Sequence, residues 1–192
     1  MTEGRVLRVV TSNEGKAREF SQALEGLPWT IERVDMAYEE VQADTLEEVA
    51  LASAASVLAG GTVAPPFVLE DAGLFVEALR GFPGVYSAYV FRTLGCEGVL
   101  RLLEGAADRR ARFESCLALC LGPGEIELMA GTCKGTVPGE TRGSGGFGFD
   151  PIFVPEGEGR TFAEMSIEEK GALSHRGRAL ARLRERLARD EG

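Results

Sequence analysis

Five short segments carry residue types from which chemistry on a phosphorylated substrate can be built. The first is Thr11-Ser12-Asn13-Glu14-Gly15-Lys16. A strand-like run delivers small polar residues and a lysine to the start of a helix. There the first N–H groups have no partner within the helix, and the dipole favours anions. Lys16 adds a point charge suited to phosphate. A capped helix with a solvated lysine explains the same residues, and the spacing is not that of the longer Walker loop. The second segment is Glu70-Asp71, placed at the end of the apolar strand Phe67-Val68-Leu69. Carboxylates there could hold magnesium, a hard cation that prefers oxygen ligands; an exposed turn is the plain alternative.

The third segment is Glu39-Glu40, with Asp44, Glu47 and Glu48 nearby. An acidic run is ordinarily a solvated face and Glu48 has a capping role, so Glu40 is a metal candidate by residue type alone. The fourth is Gly145-Gly146-Phe147-Gly148-Phe149-Asp150-Pro151. Aromatic residues set in glycines let a flat ring approach the backbone and stack, unless Phe147 and Phe149 are simply core. Asp150, biased toward extended structure by Pro151, could anchor the loop. The fifth joins Lys170 to Ser174-His175-Arg176. If Ser174 caps a helix, His175 and Arg176 put cations in a first turn that disfavours them. A local rule broken in this way often marks function.

The elements that must position these residues can be read from hydrophobic period and punctuation. Arg5 to Thr11 reads as a strand and the next residues as a helix to about Leu24. Trp29 to Val34 alternates as a second strand. Thr45 and Glu48 form a capping box for an Ala/Leu/Val-rich helix ending near Ala59. Phe67 to Leu69 reads as a buried strand and Leu74 to Leu79 as a short helix, closed by Gly81-Phe82-Pro83-Gly84. Tyr86 to Glu104 reads as helical with a break at Gly95. Ala111 to Leu121 and Ile126 to Lys134 alternate as antiparallel partners across Gly122-Pro123-Gly124. A final amphipathic helix carries Leu180, Leu183 and Leu187 on one stripe. Strands and helices in this order predict an α/β fold with a mixed sheet, as a single domain over residues 1–192.

Composition narrows the function classes. The chain has 192 residues, 44% apolar and 27% charged, which suits a globular protein able to bury a sizeable core. A net charge of −9 argues against a nucleic-acid binder, which shows a basic face. It leaves nucleotide chemistry open, since a few local cations and a magnesium ion offset the repulsion. No charged leader with an apolar stretch precedes the first strand, and no run approaches the ~18 apolar residues of a membrane span. The expectation is a cytoplasmic protein with neither membrane nor nucleic acid as partner. The cysteines, Cys96, Cys116, Cys120 and Cys133, form no Cys-x-x-Cys pair, and there is one histidine. A zinc site is therefore not expected, and the cysteines read as small buried hydrophobes.

Taken in order, these segments resemble the inosine/xanthosine triphosphate pyrophosphatase family. The matching stretches are Thr-Ser-Asn-Glu-Gly-Lys (11–16), Leu-Glu-Asp-Ala-Gly-Leu (69–74), Gly-Phe-Pro-Gly-Val-Tyr-Ser (81–87), Gly-Gly-Phe-Gly-Phe-Asp-Pro-Ile-Phe (145–153) and Thr-Phe-Ala-Glu-Met (161–165). Glu-Glu-Lys (168–170) and Ser-His-Arg (174–176) follow. The resemblance implies an elongated fold with a long, twisted mixed sheet flanked by helices, and two lobes about a central cleft. It implies a homodimer, magnesium, and hydrolysis of ITP, dITP or XTP to the nucleoside monophosphate and pyrophosphate. Thr11, Ser12, Asn13, Glu14, Gly15 and Lys16 would hold the phosphates. Glu40 would be a metal ligand; Asp71 would accept the proton of the attacking water, ligate the metal, or both. Phe147, Gly148, Phe149, Asp150, Lys170, His175 and Arg176 would hold the nucleoside.

Three positions depart from the family pattern. Ala72 stands where many members have Ser or Thr in contact with substrate, Ser53 where many have Lys, and Gly171 where Asn is usual. Base selectivity follows from hydrogen-bond types. Hypoxanthine and xanthine carry an acceptor oxygen at carbon 6, where adenine carries a donor; guanine carries a donor at carbon 2. Arg176 has only donors and His175 can donate, so they would admit the deaminated bases. A pyrophosphatase for other altered nucleotides, or a nucleotide sensor without turnover, would use some of the same residues.

Overall fold

The computed structural model describes residues 5–36 and 41–189. The metal-ligand expectation for Glu40 falls outside them. Strand β1 (Arg5–Val10) pairs in parallel with β2 (Trp29–Val34) along its whole length. It also pairs in parallel with β3 (Phe67–Val76), at Arg8↔Phe67 and Val9↔Val68. Parallel neighbours need crossovers. Helix α1 (Glu14–Ala23) lies between β1 and β2 in sequence, and α2 (Leu46–Gly60) between β2 and β3. Only Pro123-Gly124 separates β4 (Arg110–Gly122) from β5 (Glu125–Thr136), so these sheet neighbours run antiparallel. With the short β6 (Val154–Pro155) antiparallel to β5, the order is β2-β1-β3-β4-β5-β6. The expected mixed sheet is present.

The chain divides into two compact units. The first comprises residues 1–71, 116–130 and 179–192. Its core joins Leu7 and Val9 of β1, Phe20 and Leu24, Leu117 and Leu119 of β4, and Leu180, Leu183 and Leu187 of α6 (His175–Arg189). The three α6 leucines are almost fully buried, and each contributes roughly 1.5–3 kcal/mol of apolar transfer. The second unit comprises residues 72–115 and 131–178. Its core includes Leu74, Val76, Val99, Phe113, Phe153 and Phe162. Helices α3 (Ser87–Thr93) and α4 (Gly95–Leu102) belong to it, and their break falls at Gly95 (φ +65°), as the sequence predicts. Both faces of β4 are buried over residues 115–120, so alternation understated its cover. Capping boxes start α2 (Thr45/Glu48) and α5 (Ile167–Leu173; Ser166/Glu169), each cap contributing about 1 kcal/mol.

One prediction fails. Glu70-Asp71 does not end a strand, and Leu74 to Leu79 is not a helix. β3 continues through both acidic residues to Val76, and only Glu77–Leu79 make a 3-10 turn. Leu74-Phe75-Val76 suits a pleated, half-buried surface. Gly73 also requires a close approach, since a Cβ there would lie 2.3 Å from the Gly84 carbonyl oxygen. Leu74 N–H donates to Ser87 Oγ at 2.8 Å, and that hydroxyl donates to Gly84 O at 2.7 Å. The Gly81–Ser87 stretch therefore buttresses an extended strand.

The outer edge of β5 is closed by arginine side chains and by one main-chain bond. Its carbonyls at Ala130 and Thr132 accept from Arg182 and Arg178 of α6, and Lys134 O accepts from Glu156 N. Arg186, one turn beyond Arg182, pairs with Glu127 at 2.9 Å. An open strand edge is a template for pairing with another chain, and this row removes it. Among the described residues no helix is long and apolar enough to cross a membrane.

Candidate active site

In the first unit, the turn from β1 into α1 is built by its own side chains. Asn13 is the N-cap: its Oδ1 accepts the Lys16 N–H at 3.0 Å, while its own N–H donates to Thr11 Oγ1 at 3.1 Å. Thr11 is buried, Ser12 and Glu14 are exposed, and Gly15 is half-buried. Lys16, in the first turn, reaches Glu70 of β3. Its Nζ lies 3.1 Å from the Glu70 carbonyl oxygen and 3.2 Å from Oε2. The Glu70 side chain is 1% exposed and that of Lys16 19%, so the ammonium keeps a solvent-facing side. Lys16 and the Glu70-Asp71 segment thus meet at one place.

Being mid-strand separates the two carboxylates. Consecutive strand residues project to opposite faces, so Glu70 packs with Lys16 while the half-buried Asp71 points the other way. Sequence reasoning treated them as one acidic pair at a strand end and missed Glu70 as the partner of Lys16. Nothing in the local pattern marks a pairing across 54 positions. The donors available for a divalent ion are carboxylate oxygens, which suit a hard cation such as magnesium. Among the described residues no three of His, Cys, Asp and Glu gather to hold a metal. Cys116 is held as a thiol: burial first, then Glu47, Asp71 and Glu70, push it up to about 12.

The second unit assembles the other predicted segments. Lys170 Nζ lies 2.6 Å from Asp150 Oδ2, and Phe147 N–H donates to the same oxygen at 2.8 Å. Gly146 makes this possible: its φ is +67°, and a Cβ there would sit 2.1 Å from Asp150 Oδ2. Asp150 therefore anchors the loop, as its position before Pro151 suggested. The Phe147 ring, half-buried, has Lys170 Nζ 4.5 Å and Arg176 Cζ 5.1 Å from its centroid. Phe149 points into the core, edge-on to Phe91 at 5.3 Å. Gly148 (φ +62°) offers its carbonyl to Cys96 Sγ at 3.6 Å.

Ser174 caps α6 as expected, its Oγ accepting the Gly177 N–H at 3.0 Å. His175 and Arg176 occupy the first turn and are both 2% exposed. The imidazole stacks on Phe113 with centroids 4.6 Å apart and planes 10° apart. Phe113 went unnoticed as a site-supporting residue, because an apolar residue on an alternating strand has no sequence mark of its partner. His175 on Phe113 and Arg176 over Phe147 bring hydrogen-bond donors and π-faces together in the second unit.

The Ham1 family model matches residues 7–186. This chain belongs to the Ham1 family. A protein of Thermococcus kodakarensis named dITP/XTP pyrophosphatase is 53% identical over 174 residues, 91% of this chain and 92% of the relative. One of the same name from Pyrococcus horikoshii is 50% identical over 171 residues, 89% and 90% of the two chains. A HAM1 protein structure from Coxiella burnetii superposes with a TM-score of 0.82 at 29% identity, covering 96% of this chain and 99% of that one. The crystal structure titled nucleoside-triphosphatase / dITP/XTP pyrophosphatase from Mycobacterium abscessus gives 0.70 at 38% identity, covering 93% and 98%.

The three positions that depart from the expected family pattern now have places. Ala72 is half-buried on β3 beside Asp71. Ser53 is fully buried on α2, its hydroxyl without a hydrogen-bond partner among the described residues. At Gly171 on α5 an added Cβ would meet nothing within 4 Å, so a family-like Asn would fit.

Proposed function

We propose that this Ham1 chain is a nucleoside triphosphate pyrophosphatase acting on deaminated purine nucleotides. It hydrolyses dITP and XTP, and by the same base chemistry ITP, to the monophosphate and pyrophosphate. The observation that carries the reading is the approach of Lys16, in the first turn of α1, to the β3 segment that holds Asp71. A phosphate-attracting cation is paired with Glu70, the residue that precedes the candidate base in β3, and close relatives bear the name dITP/XTP pyrophosphatase.

In this reading Thr11 to Gly15 present main-chain and side-chain donors to the phosphates, and Lys16 offsets charge on the leaving pyrophosphate. Asp71 takes the proton of the attacking water. Magnesium would supply charge neutralisation at the phosphates and acidify a bound water, with Asp71 and Glu40 as its proposed ligands. Phe147 stacks on the base, while His175 and Arg176 donate toward its carbon-6 edge. A buried donor facing the adenine amino group costs about 1–3 kcal/mol, which supports rejection of ATP.

We also propose a cytoplasmic homodimer. Exposed large apolar side chains concentrate at Phe82, Tyr86, Tyr89, Phe91 and Leu94, a surface a second copy would cover. Sedimentation at micromolar concentration tests the dimer. The function is tested by product analysis on dITP, XTP, ATP and modified pyrimidine triphosphates, with and without magnesium. Monophosphate and pyrophosphate from dITP and XTP are expected. Diphosphate and inorganic phosphate, or binding without turnover, would remove the proposal.

A further inference from the structure

Arg33, on the edge strand β2, belongs to none of the segments assigned above. Its guanidinium is committed to the main chain of the phosphate segment. Nε donates to the Thr11 carbonyl at 3.2 Å and Nη2 to the Ser12 carbonyl at 2.9 Å. The same Nη2 also donates to Asp35 Oδ2 at 3.3 Å. The ladder fixes its height, since Arg33 pairs with Val9 and the Thr11 N–H donates to Val34 O at 3.0 Å. An arginine on an edge strand is ordinarily free to extend into water, yet this side chain is only 33% exposed.

Holding those two carbonyls sets the direction of the loop. Across a trans peptide the C=O and the following N–H point opposite ways. With the Thr11 and Ser12 oxygens turned onto Arg33, the N–H groups of Ser12 and Asn13 are turned away from it. The Asn13 N–H then meets Thr11 Oγ1, and Asn13 is placed to cap Lys16 N–H. Two carbonyl dipoles aimed at a triphosphate would repel it. A planar guanidinium can take both oxygens at once, whereas a lysine ammonium is a single point.

We infer that Arg33 is a positioning residue for triphosphate binding: it turns the Thr11 and Ser12 carbonyls away from the phosphates without touching the nucleotide. This rests on the reading of residues 11–16 as the phosphate-holding segment. Arg33→Ala and Arg33→Lys test it, with three readouts. These are tripolyphosphate binding by calorimetry, amide exchange of residues 11–16 in the ligand-free protein, and recovery of binding in Arg33→Ala on adding millimolar guanidinium ion. Both variants should bind tripolyphosphate about tenfold or more weakly. Both should exchange faster at residues 11–16 with exchange elsewhere unchanged, and guanidinium should restore part of the alanine variant's loss. Binding by Arg33→Lys within twofold of wild type would reduce the arginine to a point charge and overturn the inference. So would weakened binding with unchanged exchange, which would make Arg33 a direct phosphate ligand. Wild-type protein that neither binds tripolyphosphate nor hydrolyses dITP would sink the proposed function itself, and is told apart from these by needing no variant.

Discussion

Lys170 Nζ stands 2.6 Å from Asp150 Oδ2, and each side chain is 4% exposed. A buried pair of this kind binds the glycine-rich loop to α5 within the second unit. Removing one partner strands the other charge. Asp150→Ala should cost about 3 kcal/mol and lower Tm by about 10 °C in a thermal scan. The double variant Asp150→Asn/Lys170→Met should recover much of that stability without recovering dITP turnover. A double variant as unstable as the single one would mean that the Phe147 N–H contact matters more than the ion pair.

Two glycines invite opposite outcomes. Gly146→Ala places a methyl 2.1 Å from Asp150 Oδ2 at a left-handed φ, and should destabilise by more than about 2 kcal/mol in denaturant titration. Gly171→Asn faces open space and restores the residue usual in the family, so stability should stay within about 0.5 kcal/mol.

For Asp71→Asn, removing the proton acceptor should lower kcat by about 100- to 10,000-fold. Nucleotide affinity measured by calorimetry should persist, because Lys16 and the α1 turn are untouched. Near-normal turnover would take Asp71 out of the chemistry.

Stability should fall at both ends of the pH range. Glu48, Glu164 and Glu169 accept hydrogen bonds at capping boxes and the Arg160 fork, which hold them below their ordinary 4.5. Their folded pKa is the lower one, so their contribution is present above that ordinary value and lost as pH falls through the depressed values. Burial pushes Cys96 and Cys133 up to about 11 and Cys116 to about 12, from 9.0. The unfolded thiols ionise first, so stability falls as pH rises from 9 toward those values. Thermal scans from pH 3 to 11 should show both limbs, and Cys116→Ala should flatten the alkaline one.

How far the sequence reaches can be judged residue by residue. Local rules were reliable where the partner lies within a few positions. The Thr45/Glu48 box, the Ser174 cap, the break at Gly95 and the Pro123-Gly124 turn all stand where punctuation put them. The start of α1 was legible for the same reason. What could not be read were pairings set by the sheet. Lys16 meets Glu70 because β1 and β3 are neighbours, and His175 lies on Phe113 because a strand and a helix far apart in sequence share a core. β3 was cut short because Glu-Asp-Ala-Gly looks like a turn, whereas the sheet neighbours and the contacts of Gly84 and Ser87 favour extension. Burial was also hidden: His175, Arg176 and Lys170 are polar residue types that composition assigns to the surface, yet aromatic rings and Asp150 surround them.

The arginine row of α6 bears on how the molecule is made. Arg182 and Arg178 cover the rim of β5 from some fifty positions downstream, and Arg184 reaches back 161 positions to Ala23. A chain still leaving the ribosome has every strand of its sheet before it has the helix that seals it. Until α6 emerges, that rim is bare and the first unit lacks three core leucines. Helix α6 is therefore the clasp that closes the sheet, and the interval before it is made is the one in which a nascent chain is most exposed to sticking to its neighbours.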